Sequence, residues 1–186
     1  MGRQVFWFFM SIDTFQGFRY TEAVTTGLME TIMQWADVLA DPSLKNLPFK
    51  IELNEKGHIE MSPASNFHGF LQSELVWLLR SQLDTGRVIT ECSIDTPKGV
   101  KVADVAWCSP AFVEEQGDRT PFTKAPEICV EVVSPSNTFV EMQDKVLLYL
   151  AKGAKEVWLV KMPGTTAIYR SEGEVNGSLF VSKTVV

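Results

Sequence analysis

The chain has 186 residues, 45% hydrophobic and 22% charged, with a formal net charge of −6 and a pI near 5.0. These values predict one ordinary soluble domain, or a domain plus an arm, with enough apolar residues to bury a core. They exclude nucleic-acid binding through global positive charge, but not through a local basic patch or a cluster of acids offset by a bound cation.

Residues 1–28 read as an N-terminal extension of doubtful order, and residues 29–186 as a single domain. The apolar patch in MGRQVFWFFM is too short for a membrane span, and no small-residue cleavage site follows it. No membrane partner is expected. Met29 and Met33 would each serve as an alternative start. Residues 29–40 predict a short amphipathic helix with Ile32, Trp35, Ala36 and Leu39 on its apolar side. FKIEL and HIEM flank NEKG as a hairpin. Ser65 is a good N-cap for a helix over 66–82, whose apolar stripe would be Phe67, Leu71, Leu75, Leu78 and Leu79.

RVITECSID (87–95) and VKVADVAWC (100–108) predict two strands joined by a TPKG turn. EEQGDRTPFTKAP reads as a loop, and PEICVEVV as the next strand. A helix follows over about 138–152, with Thr138 and Glu141 as a capping box and Gly153 just past its end. KEVWLVKM is a strand, and TTAIYR with SLFVSK would form a hairpin tail. From residue 66 the order is α-β-β-β-α-β. The strand–helix–strand unit implies a parallel crossover and the 87–108 hairpin an antiparallel pair, so the fold class is α/β with a mixed sheet. Trp77, Trp107 and Trp158 read as core residues. Cys92, Cys108 and Cys129 are widely spaced in apolar segments, which predicts reduced, buried thiols in a cytoplasmic protein and no zinc site.

Two acids interrupt this pattern. Asp104 sits among Val102, Ala103, Val105 and Ala106, and Glu131 among Ile128, Cys129, Val130, Val132 and Val133. Apolar residues on both parities mark strands covered on both faces, where a lone ionised carboxylate costs several kcal/mol or must neutralise. If the two strands are neighbours, the carboxylates converge and either share a proton or hold a cation. Oxygen-only ligands suit Mg²⁺ or Mn²⁺, and the backbone carbonyl of Cys129 or Val132 would add another ligand. The plainer reading is a pair of acids in ordinary hydrogen bonds or ion pairs. Lys145 lies in the helix after the Glu131 strand. It either pairs with Glu141 at i,i+4, worth ~0.3–0.5 kcal/mol, or turns back toward the acids.

ADVAW, APEICVEVVSPSN, EMQDKVLLYLAKGAKEVWLV and MSPASNFHG resemble the bacterial restriction-endonuclease-like family of endonucleases, within the PD-(D/E)XK nuclease superfamily. The resemblance spans about residues 29–170 and implies a restriction-endonuclease-like core carrying an N-terminal helix and hairpin. It implies Mg²⁺- or Mn²⁺-dependent hydrolysis of phosphodiester bonds in DNA, with Asp104 and Glu131 as metal ligands. The superfamily lysine two residues after the second acid is replaced by Val133, and Lys145 matches the helical position that takes over the role. Catalytic residues would thus be Asp104, Glu131 and Lys145. Ala103 stands where many relatives carry Pro. His68 matches a recurrent family histidine and Glu141 a position that is often Asp, so both are accessory candidates. Glu60 and Glu74 are weaker candidates for an added acid.

Lys98, Lys101, Arg119 and Lys124 are the candidate basic patch for a strongly salt-dependent DNA contact. Superfamily members that cut both strands are often dimers, which makes a homodimer one expected assembly. The alternative is a nuclease fold kept as a DNA-binding or protein-interaction module without turnover.

Overall fold

Apolar residues on both parities of 100–108 and 128–133 require cover on both faces of a sheet, and the computed structural model provides it. The structure describes residues 32–63, 65–161 and 165–184. The expected N-terminal extension and the first residues of the expected 29–40 helix lie outside these. A six-stranded mixed sheet runs in the order β3 (Arg87–Thr96), β4 (Gly99–Cys108), β5 (Ile128–Val133), β6 (Glu156–Lys161), β7 (Thr165–Arg170) and β8 (Gly173–Val175). β5 and β6 pair in parallel, joined by helix α4 (Phe139–Ala151), and the other neighbours are antiparallel. A separate hairpin, β1 (Phe49–Leu53) with β2 (Ile59–Pro63), precedes helix α2 (Asn66–Gln82).

One sheet face packs Val105, Trp107, Val130, Val132, Trp158 and Val160 against Leu71, Leu75, Leu78 and Leu79 of α2. The other packs Ala106, Cys129, Val157 and Leu159 against Met142, Val146 and Tyr149 of α4. Both helices begin as their sequences predict. Ser65 Oγ accepts from His68 N–H, and Thr138 with Glu141 forms a reciprocal capping box. Gly153 follows α4 at φ +106°, a left-handed conformation that glycine adopts without steric cost. The three cysteines are buried and free.

Several expectations need correction. Among the described residues the first helix, α1, spans Trp35–Ala40, and residues 32–34 of the expected 29–40 helix precede it as irregular chain, because a Gln34–Asp37 capping box starts it there. Val38 is its buried residue, while Ile32 and Leu39 are exposed. The stretch read as a loop, 114–126, begins inside a helix: α3 spans Pro110–Gln116, capped by Ser109 with Pro at its first turn, and takes in Glu114, Glu115 and Gln116. That N-cap and proline were the available signal. In the tail, β7 pairs with Gly173–Val175 rather than with SLFVSK. The latter instead sends Phe180 and Val181 into the α2-side core, with Phe180 against Trp107. Trp107 and Trp158 are core, but Trp77 is 68% exposed. It projects from α2 off the Leu71–Leu75–Leu78–Leu79 stripe, and Phe67 is likewise 42% exposed.

Candidate metal and phosphodiester site

The antiparallel ladder between β4 and β5 is short. It pairs Trp107 with Ile128, Ala106 with Cys129, and Val105 with Val130, then stops. One further step in the same register sets Asp104 opposite Glu131. There the strands part, and side chains take over the work of the ladder. Val132 N–H donates to Asp104 Oδ2 at 2.7 Å, and Val102 N–H donates to Glu52 Oε1 at 2.8 Å. Buried backbone donors must find acceptors, and the diverging strands find theirs in carboxylates.

Three buried acids therefore meet: Glu52 from β1, Asp104 from β4 and Glu131 from β5. Two lysines answer them. Lys50 Nζ lies 2.6 Å from Asp104 Oδ1 and 3.3 Å from Glu131 Oε2. Lys145 Nζ lies 2.8 Å from Glu52 Oε1 and 3.2 Å from Glu131 Oε2. Tyr149, one turn beyond Lys145, donates its hydroxyl to Glu131 Oε1 at 2.7 Å. A third lysine, Lys101, lies 3.9 Å from Glu52 Oε2 but is neutralised by Glu60 at 2.7 Å, so three carboxylates against Lys50 and Lys145 leave the cluster one negative charge in excess.

The ionisation of these groups follows from that crowding. Burial pulls the Lys50 ammonium down, but Glu131, Asp104 and Glu52 outweigh it and hold the group above its ordinary value. Lys145 is likewise lowered by burial, and Glu131 with Glu52 lifts it above the usual lysine range. Burial raises Asp104, yet Lys50 and His68 overcome it and hold the carboxyl well below the carboxylate range. Glu52 is held low against its burial by Lys145 and Lys50. Glu131 ends above its usual value, because burial and the neighbouring Asp104 and Glu52 carboxylates outweigh both lysines.

At the rim, His68 Nε2 lies 3.3 Å from Asp104 Oδ1, a bond that raises the imidazole pKa against partial burial. Gln72 Nε2 donates to the Asp104 carbonyl at 3.1 Å and to Glu91 Oε1 at 2.6 Å. Glu91 stands beside Asp104 across the β3–β4 pair with φ +52°, unusual for a residue with a side chain. His68, Glu91 and Asp104 each bring a ligand atom within 4.8 Å of the others. A cavity of about 430 Å³ opens beside Glu52 and Lys145 and is also walled by Glu60, Lys101, Glu141 and Asp144. It does not reach Asp104 or Glu131.

The structure thus brings Asp104, Glu131, Lys145 and His68 together. Glu141 stays at the helix cap, bonded to Thr138 and Asn137, and does not pair with Lys145. Glu60 binds Lys101 at the cavity wall. The expected basic patch is largely paired off: Lys98 with Asp144, Lys101 with Glu60 and Lys124 with Glu115, while Arg119 donates to backbone carbonyls. Sequence reading missed Lys50, Glu52, Gln72, Glu91 and Tyr149. For Lys50 and Glu52 a signal existed, since KIEL places a lysine and a glutamate at i,i+2 on one strand face. Alternation in a short hairpin ordinarily marks a solvent face, and here that face looks into the protein.

The donor chemistry bears on a bound ion. Asp104 Oδ1 and Glu131 Oε2 both face Lys50, and both are hard oxygens of the kind that divalent Mg²⁺ or Mn²⁺ takes. The residues fit such an ion.

A mixed sheet between two helices, with acids converging where its central strands part, is a nuclease-like fold. The crystal structure of a putative nuclease from Anabaena variabilis aligns with a TM-score of 0.66, covering 83% of this chain and 94% of that one at 20% identity. The model of the Uma2 family, described as "Putative restriction endonuclease", matches residues 35–179, and the chain belongs to that family. No curated protein sequence shows a significant match. Among the described residues, no helix is long and apolar enough to cross a membrane.

Proposed function

We propose that the protein is a divalent-metal-dependent endonuclease of the PD-(D/E)XK type that hydrolyses DNA phosphodiester bonds. The observation that carries this reading is the register of β4 and β5, which sets two buried carboxylates opposite each other with the Lys145 ammonium 3.2 Å from one of them. Asp104 and Glu131 would hold the ion, with Mg²⁺ or Mn²⁺ best suited to their oxygens. When bound, such an ion lowers the pKa of a water and offsets charge on the phosphate.

The chain's own groups prepare the rest. Val132 N–H fixes the Asp104 carboxylate in one rotamer through Oδ2 and leaves Oδ1 facing the site. Tyr149 does the same for Glu131 from behind. Glu52 keeps the Lys145 ammonium charged and aimed at Glu131, where it can meet charge that develops on a phosphate oxygen. His68, at the mouth, is placed to donate to a phosphate once protonated.

The test is cleavage of duplex DNA with Mg²⁺ or Mn²⁺ by the wild type and Asp104→Ala, run beside thermal melting in a metal titration. The wild type should cleave, and its melting temperature should rise with the logarithm of metal concentration above the dissociation constant. Asp104→Ala should do neither. A wild type that binds metal and DNA without cutting would overturn the enzyme assignment in favour of a binding module.

A further inference from the structure

Lys50 is the one member of the cluster that hydrolysis does not account for. Asp104 and Glu131 would hold the ion; within the fold Val132 N–H already bonds Asp104 Oδ2 and the Tyr149 hydroxyl bonds Glu131 Oε1, which leaves Asp104 Oδ1 and Glu131 Oε2 turned toward the lysines. The Lys50 ammonium lies on those same two oxygens, at 2.6 and 3.3 Å. Lys145 also reaches Glu131, 3.3 Å from Oε1 and 3.2 Å from Oε2, but it makes no contact with Asp104 and is anchored to Glu52 at 2.8 Å, so of the two lysines only Lys50 spans both acids. An ammonium and a divalent ion are both compact cations, and two cannot share one pair of oxygens without strong repulsion.

We infer that Lys50 is a tethered competitor for the metal position, displaced when the ion enters and then available to the phosphodiester, so that metal and substrate bind cooperatively. This inference rests on the metal reading above. Charge balance gives its direction. With Glu52, Asp104 and Glu131 ionised and both lysines charged, a divalent ion changes the excess from one negative to one positive charge. A phosphodiester carries one negative charge and restores neutrality. Lys50 has the means to move. It stands on the small β1–β2 hairpin rather than on the central sheet, and its side chain is 13% exposed at the end of a flexible four-carbon stem.

The experiment is calorimetric titration of Mn²⁺ into the wild type, Lys50→Met, Lys50→Gln and the remote surface control Lys124→Met, with and without a short phosphorothioate duplex. Without the duplex, both Lys50 variants should bind Mn²⁺ about tenfold more tightly than the wild type, within the usual range of coupling between sites. The duplex should tighten Mn²⁺ binding to the wild type and do so less for the Lys50 variants. Lys124→Met should follow the wild type. Equal or weaker Mn²⁺ binding by the Lys50 variants overturns the competitor role and leaves the metal site standing. No Mn²⁺ binding by any protein, with or without duplex, overturns both.

Amine-reactive labelling of the wild type, read by mass spectrometry, gives the same answer without a variant that must fold. Mg²⁺ should increase acylation at Lys50 and leave Lys124 unchanged. A Lys50 that stays equally protected or becomes better protected while Mg²⁺ binds rejects displacement.

Discussion

Glu131 and Glu156 lie on adjacent parallel strands, both essentially inaccessible to solvent, and their surroundings differ in kind. Glu156, at the start of β6, accepts from Trp158 Nε1 at 3.0 Å, Ser178 Oγ at 2.7 Å, Leu179 N–H and the Arg170 guanidinium. Each of these partners is a donor, one of them a cation, and among the described residues no second acid accepts a hydrogen bond from the same donors. Glu131 meets one hydroxyl and two ammoniums, but also Asp104 and Glu52. A single acid among donors is a structural joint: it ties the tail after β8 to the sheet. Three acids brought together around two lysine ammoniums are poised for a change of partner. Burial of an acid is therefore weak evidence of function, and burial beside other acids is much stronger.

The comparison breaks most visibly at Asp104. Asp104→Ala removes the one acid that contacts Lys50, His68 and the Val132 amide together. Metal-induced stabilisation in a melting titration and DNA cleavage should both be abolished. Glu131→Gln should have nearly the same effect on both readouts. Retention of the metal response in either variant would show that the ion, if bound, sits elsewhere.

Glu156→Gln should show the opposite pattern. It removes the charge that Arg170 pairs with and sets an amide donor against the Trp158 and Ser178 donors. Breaking a buried pair of this kind costs about 3 kcal/mol or more, which in a chain of this size lowers the melting temperature by roughly 10 °C. The metal response, measured below that lower midpoint, should be unchanged. A variant of Glu156 that lost metal binding would undo the distinction between joint and site.

The same contrast explains what could be read from the sequence. The order of elements from residue 66, the bounds of α2, the β3–β4 hairpin and the α4 crossover all follow from apolar periodicity with caps and turns, signals local to each segment. Asp104 and Glu131 stood out because an acid inside a two-sided apolar run violates its own pattern. Lys50 and Glu52 did not, because a charged residue at alternate positions of a hairpin conforms to the pattern of an exposed strand. Only the packing of β1 beside β4, a long-range fact, turns that face inward. Glu91 was hidden for a related reason: its backbone conformation at φ +52° cannot be inferred from TEC in an ordinary strand. Phe180 and Val181 look like strand residues and are used as core plugs. Buried function built from one segment was legible, and function assembled across segments was not.

Glu91 sharpens the site itself. Asp104 belongs to two groupings, one with Glu131 and one with His68 and Glu91. If the ion is held on the β5 side, as we propose, Glu91→Gln should change Mn²⁺ affinity by less than about threefold, a shift under ~1 kcal/mol. Glu131→Gln should abolish binding. The reverse ranking, read by calorimetry, would move the ion to the β3 side and make Glu131 the supporting acid.

The smallest effect expected is at His68, and its sign is fixed by linkage. The bond to Asp104 raises the folded-state pKa above the ordinary 6.5, against partial burial. A group raised in this way contributes stability that is fully present below the unfolded pKa and fades as pH rises through the folded value. His68→Gln, melted in chelator, should therefore lose more stability relative to wild type below pH 6.5 than at pH 8 or above, where the neutral imidazole keeps only a weak hydrogen bond. Because the ring is partly exposed at the rim, solvent screening keeps the difference small. A wild-type advantage that grew with pH would mean that the imidazole is held neutral in the fold, and that Asp104 answers to Lys50 alone.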